Sequence, residues 1–155
     1  MFLIWLQKLA FYGSIGILIE FFFTGVYNLF VRNWKLTGHS YLWMFPIYSI
    51  TAMLLDAVKD AVAWPFYSKA FIYLFIIYGV EALSGYTIKV LTGKLQNALG
   101  GHGGNTIPWE YPKSAWTILG LVNFKYAPFW LVLCLFFEQI SNYVSRIAFF
   151  LAGDM

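Results

Sequence analysis

Residues 2–31 form one continuous apolar run, broken only by four strongly polar side chains, Gln7, Lys8, Glu20 and Asn28. A bilayer's hydrocarbon core takes about 20 apolar residues in helical form. The run is too long for the apolar region of a signal peptide, and no small-x-small cleavage site follows it. It reads as a membrane span, and whatever follows must be compatible with lipid.

The remaining 125 of the 155 residues have the same character. Apolar and aromatic residues make up 61% of the chain and charged residues 11%, against about 25% charged in a typical soluble domain. A water-soluble fold of this size exposes too much of its surface to hide that apolar content. A soluble enzyme and a nucleic-acid-binding module are excluded on this ground. The ten basic residues are scattered and the net charge is only +3, so no polybasic patch for nucleic acid or lipid headgroups forms. Cys134 is the single cysteine and cannot pair within the chain.

Three further spans are expected, at residues 43–63, 66–91 and 126–151. In the second, Pro46 lies near the start, where proline is tolerated, and Pro65 follows its end. Asp56, Lys59 and Asp60 crowd its last third and read as a solvated helix end reaching the interface. In the third, Lys69 and Lys89 can snorkel to water. Residues 32–40 read as a polar turn. The longest connection, residues 92–125, holds the run Gly100-Gly101-His102-Gly103-Gly104, without phosphate-loop spacing. Pro108-Trp109-Glu110-Tyr111-Pro112 follows as an interfacial motif. Residues 115–124 are apolar but too short to span, which suggests an interfacial or re-entrant segment. The expected fold is all-α: a polytopic membrane protein forming a four-helix transmembrane bundle as one membrane domain over residues 1–155. Four spans put both termini on one side. Basic residues then divide as Arg32, Lys35, Lys89, Lys94, Lys113 and Lys125 against Lys8, Lys59, Lys69 and Arg146, an excess pointing to cytoplasmic loops. Trp43, Trp64, Trp109, Trp116 and Trp130 fall near span ends, as an aromatic belt does.

Glu20, Glu81 and Glu138 fall inside three different spans. Charge there is costly, so such residues face protein or water and have partners. Helical spacing gives Glu20 a face with Gly13, Gly16, Thr24 and Tyr27, a small-residue stripe suited to close helix approach. Glu81 shares its face with Tyr78, Ser84, Gly85 and Lys89, and Glu138 with Cys134, Ser141, Asn142 and Ser145. The stripes are expected to face one another, with Thr24, Tyr78 and Asn142 among the partners. Two readings stand. The glutamates form a site for protons, cations or a solute, or each is hydrogen-bonded and fixes helix packing. Ser84, Ser141 and Ser145 have no histidine at comparable depth, so a nucleophile would lack its base. His39 and His102 sit in loops without companions at metal-ligand spacing. No catalytic residue, metal site or cofactor is expected.

The ordered set of Glu20-Phe-Phe-Phe-Thr24-Gly25, Trp43-Met-Phe-Pro46-Ile-Tyr48, Glu81, Gly85, Pro108-Trp109-Glu110-Tyr111, Gly120, Tyr126-Ala-Pro-Phe-Trp130 and Glu138 resembles the transmembrane protein 229 family. Bacterial relatives of that family are described as ABC-transporter permeases. The resemblance runs from about Lys8 to Ile140. It implies a small four-span helical protein and marks Glu20, Glu81, Glu138 and the Pro-Trp-Glu-Tyr segment without assigning them chemistry. With no Walker motif here, any ATP hydrolysis would belong to another chain. The expected function is that of a non-enzymatic integral membrane protein, a subunit or accessory of a larger membrane assembly. Its expected partners are the bilayer and other membrane subunits or further copies of itself, not nucleic acid. The alternative is a small permease or ion path using Glu20, Glu81 and Glu138.

Overall fold

The computed structural model describes residues 1–62, 64–98 and 109–153. The expectations for the Gly-His-Gly-Gly run, His102 and Pro108 lie outside the described residues. The described chain is mostly helical, with α1 (Phe2–Phe30), α2 (Met44–Ala61), α3 (Phe66–Ala98) and α4 (Ala127–Leu151). Three stretches, Phe2–Phe30, Phe66–Leu95 and Phe124–Leu151, are long and apolar enough to cross a membrane. At 18 residues, α2 is the exception. It is about 27 Å long, and Asp56, Lys59 and Asp60 lower its apolar character. Proline sits in the first turn of α2 as Pro46 and of α4 as Pro128, where no intrahelical donor is lost.

The chain divides into two compact units. One comprises residues 1–61 with the α4 residues from 137 onward, the other residues 62–136. In the first, α1 and α2 pack against each other along their lengths. The expected small-residue stripe makes this contact: a Cβ on Gly16 would fall 2.5 Å from the Tyr48 Cβ, and one on Gly13 2.8 Å from the Phe45 ring. The helices are thus close enough for Ser49 Oγ to donate across to the Leu9 carbonyl at 2.8 Å.

α1 ends in a double hydrogen-bonded cap. Arg32 N–H reaches Leu29 O and Asn33 N–H reaches Asn28 O, with Arg32 in the left-handed region at φ 58°. This is the geometry of a Schellman motif, here with arginine at the position glycine usually takes. The next residues are not the simple polar turn expected from sequence. They fold back along α1, the Asn28 amide donating to Thr37 O at 2.7 Å and His39 N–H donating to Thr24 Oγ1 at 2.9 Å.

In the second unit, the all-α expectation needs correction. Residues 115–124 contain a small antiparallel hairpin, β1 (Thr117–Ile118) with β2 (Val122–Asn123). Leu121 N–H closes the turn onto Ile118 O at 2.9 Å. Leu119 and Gly120 hold φ values of 53° and 71°, the left-handed pair that suits a strand twist. The turn chemistry was hidden because leucine rarely adopts that conformation. Leu121 and Val122 are buried, whereas Trp116, Ile118 and Leu119 are exposed.

Close approach of α1 and α2 makes Gly16 sensitive. Gly16→Val is expected to lower stability in detergent by about 1–3 kcal/mol through overpacking. At Gly79 an added Cβ meets nothing within 4 Å, so Gly79→Ala is expected to be neutral or to stabilise by up to about 1 kcal/mol. Thermal unfolding of both variants checks the contrast.

Candidate functional site

Polar side chains of the helices form clusters within each unit. The first is built on α1. Glu20, Thr24 and Asn28 are spaced four residues apart and so share one helical face. Each engages the returning segment: Ser40 Oγ donates to Glu20 Oε2 at 2.7 Å, above it lies the Thr24 contact to His39, and above that the Asn28 contact to Thr37. Glu20 therefore anchors the connector that leads into α2. The Thr24 hydroxyl also lies 3.0 Å from the Glu20 and His39 carbonyls, so its role is to bind backbone.

The second cluster lies on α3. Tyr111 OH donates to Glu81 Oε1 at 2.8 Å, and Trp109 Nε1 donates to Leu121 O at 3.0 Å. Tyr111 N–H in turn donates to Gly120 O at 2.9 Å. Trp109 and Tyr111 of the interfacial motif thus tie the hairpin to α3, while Glu110 is exposed. Tyr78 stacks edge-on to Phe124 at 4.9 Å. Its hydroxyl and Glu81 Oε2 are buried without a hydrogen-bond partner. The expected pairing of Tyr78 with a glutamate is therefore not formed as a hydrogen bond.

The third cluster corrects the sequence reading most. Asp56 is only 3% exposed and is not part of a solvated helix end. Lys8 Nζ of α1 donates to its Oδ2 at 2.8 Å, and Lys59 Nζ stands 3.5 Å from its Oδ1. Lys59 also donates to Ser141 Oγ at 2.7 Å and Asn142 Oδ1 at 2.9 Å, both on α4. Asn142 thus accepts from a lysine. Asp60 does behave as expected, with its side chain 67% exposed. The physical reason is packing: Asp56, Lys59 and Asp60 lie on one side of α2, but α1 and α4 cover only Asp56 and Lys59, and Asp60 sits uncovered at the helix end. Helical spacing places Asp56 and Lys59 on one side of α2 but does not decide which helices that side meets.

Glu138 is half-buried, and its carbonyl lies 3.4 Å from Ser141 Oγ. Glu20 and Glu81 are thus engaged by hydroxyls of the connectors that follow their own helices. Among the described residues no group of three or more His, Cys, Asp or Glu could hold a metal ion. The chain matches no family model and no solved structure.

A buried ion pair is costly to break from one side, because the remaining charge loses its partner. Asp56→Ala is expected to cost about 3–5 kcal/mol, with much of that loss recovered in the Lys8→Met/Asp56→Leu double variant. Denaturant unfolding of the single and double variants in micelles measures the coupling.

Proposed function

We propose that this chain is a four-span, non-enzymatic integral membrane protein, a subunit or accessory of a larger membrane assembly, as its resemblance to the transmembrane protein 229 family suggests. The observation that carries the four-span reading is the pairing around Asp56. With Asp56 Oδ2 bonded to Lys8 of α1 and Lys59 bonded to Ser141 and Asn142 of α4, α2 presents outward residues such as Ile50 and Leu54, both exposed. Its length of about 27 Å is close to the hydrocarbon thickness of about 30 Å. Elsewhere the exposed faces are equally apolar: Leu18, Phe21 and Phe22 on α1, and Tyr67, Phe71 and Phe75 on α3. Such surface suits lipid or partner helices. Trp116, Ile118 and Leu119 at the hairpin tip suit an interfacial seat for residues 115–124.

The subunit reading draws support from how the polar groups are used. Glu20 and Glu81 each hold a connector, and Asp56 holds helices together. These are structural tasks, and they account for the contacts of Glu20 Oε2, Glu81 Oε1 and Asp56 Oδ2 without a transported solute. A second reading, a proton or cation path, has one observation in its favour: Glu81 Oε2 and Tyr78 OH are buried and unpartnered. Glu81→Gln separates the two. A structural role predicts little change in stability and no associated flux, whereas a path predicts loss of proteoliposome flux at unchanged stability.

Two measurements test the proposal. In a Cys134→Ala background, single cysteines at Phe2 and Gly153 are expected to react with an impermeant maleimide from the same side of the membrane. Opposite sides would mean that α2 does not cross. Purification in mild detergent from the native membrane is expected to retain a stoichiometric membrane-protein partner, and recovery as a lone monomer would overturn the subunit role.

A further inference from the structure

At one end of the first unit, residues of α1, α2 and α4 line a half-open cavity of about 390 Å³. That volume falls within the range of small-molecule sites, about 300–1,000 Å³. Met1, Ile4, Trp5 and Lys8 line it from the first two turns of α1. Met53, Asp56, Ala57 and Asp60 line it from the last two turns of α2, and Phe149 closes it from α4. Both helical sets follow the spacing of a single face, so the cavity is a product of the α1–α2 register.

Its polar groups are unequally satisfied. Lys59, which does not line the cavity, is engaged by Ser141, Asn142 and the carboxylates of Asp56 and Asp60. Lys8, which does line it, is less so. Its ammonium has three N–H groups, and Asp56 Oδ2 takes one of them, although the side chain is only 14% exposed. A nearly buried ammonium with spare donors calls for an acceptor, preferably an anionic one. At the rim, Asp60 offers an exposed carboxylate whose nearest cation, Lys59, stands 3.6 Å away and is shared with three other groups. The site therefore carries a donor for an anion and an acceptor for a cation, beside apolar walls of Ile4, Met53, Trp5 and Phe149.

We infer that this cavity binds the headgroup of an amine-bearing zwitterionic phospholipid. The phosphate accepts from Lys8 Nζ, the primary ammonium donates to Asp60, and the first acyl methylenes lie along Ile4, Met53 and Phe149. The location fits, since the cavity sits at the end of the apolar helix α1, where headgroups meet the hydrocarbon. The inference rests on the membrane reading of this chain. It adds a ligand class to that reading, and the complementary charges distinguish this ligand from a singly charged one.

The test uses the full chain, purified in detergent and exchanged into defined lipid. Phosphatidylethanolamine, phosphatidylcholine, phosphatidylglycerol and free phosphoethanolamine are compared by native mass spectrometry and thermal unfolding. Phosphatidylethanolamine is expected to be retained preferentially, at one lipid per chain, and to raise the melting temperature. Because Lys8→Gln also breaks the pair with Asp56, two variants outside that pair carry the decision. Asp60→Asn is expected to weaken retention by about tenfold, the loss of one charge-assisted hydrogen bond. Met53→Trp, which fills the cavity, is expected to abolish retention. Unchanged retention in both variants would overturn the inference. So would equal retention of all three lipids, or preference for phosphatidylglycerol. Stabilisation by free phosphoethanolamine without lipid retention would assign the site to a soluble ligand and overturn the lipid occupant. Carbonate extraction keeps the two failures apart. A chain released without detergent would fail the membrane reading itself, whereas a detergent-dependent chain without lipid preference would fail only the headgroup site.

Discussion

Asp56 is the anion on which α1, α2 and the C-terminal part of α4 converge. It is buried, so its charge is stable only while Lys8 stays in contact and Lys59 stands close by. Lys59 in turn is held by Ser141 and Asn142. An ion pair of this kind adds little net stability relative to a well-packed apolar core. What it contributes is register, because one helix cannot slide along another without stranding a charge. The Gly13–Gly16 stripe under Phe45 and Tyr48 sets the same register by shape, and Ser49 sets it again by its bond to Leu9.

Register has a second consequence. With α2 beginning only at Met44, residues 31–43 must return along α1 in a non-helical form. Backbone polar groups left unpaired near hydrocarbon are costly. Asn28 and Thr24 supply partners to Thr37 and His39, and Glu20 secures Ser40. On α3 the same device recurs in different chemistry: Glu81 takes the Tyr111 hydroxyl, and Trp109 caps the Leu121 carbonyl. A carboxylate within an apolar helix is thereby used to hold the connector that follows it. This use explains why Glu20 and Glu81 sit on separate helices with separate partners.

Much of this architecture is legible in the residues. The apolar run at 2–31, the boundaries marked by Pro46 and Pro65, and the glycine stripe all follow from local chemistry. The polar face of Glu20 and Thr24 was also visible, since helical spacing depends only on sequence. The partners of these groups were not. Ser40 and Tyr111 lie 20 and 30 residues away from the carboxylates they bind, and Lys59 meets Ser141 across 82 residues. Leu119 concealed a turn because its residue type argues against the conformation it holds.

The sequence by itself determined that the chain is mostly helical and apolar enough to suit lipid. Those properties are sums over residue types and short spacings. Tertiary structure alone decided that Asp56 is buried while Asp60, four residues on, is exposed, and that Asn142 serves Lys59. It also decided that Lys8 and Asp60 border one cavity. The reason is that a helix fixes which side chains share a face, but only packing against a second helix decides whether that face meets lipid, water or an opposite charge.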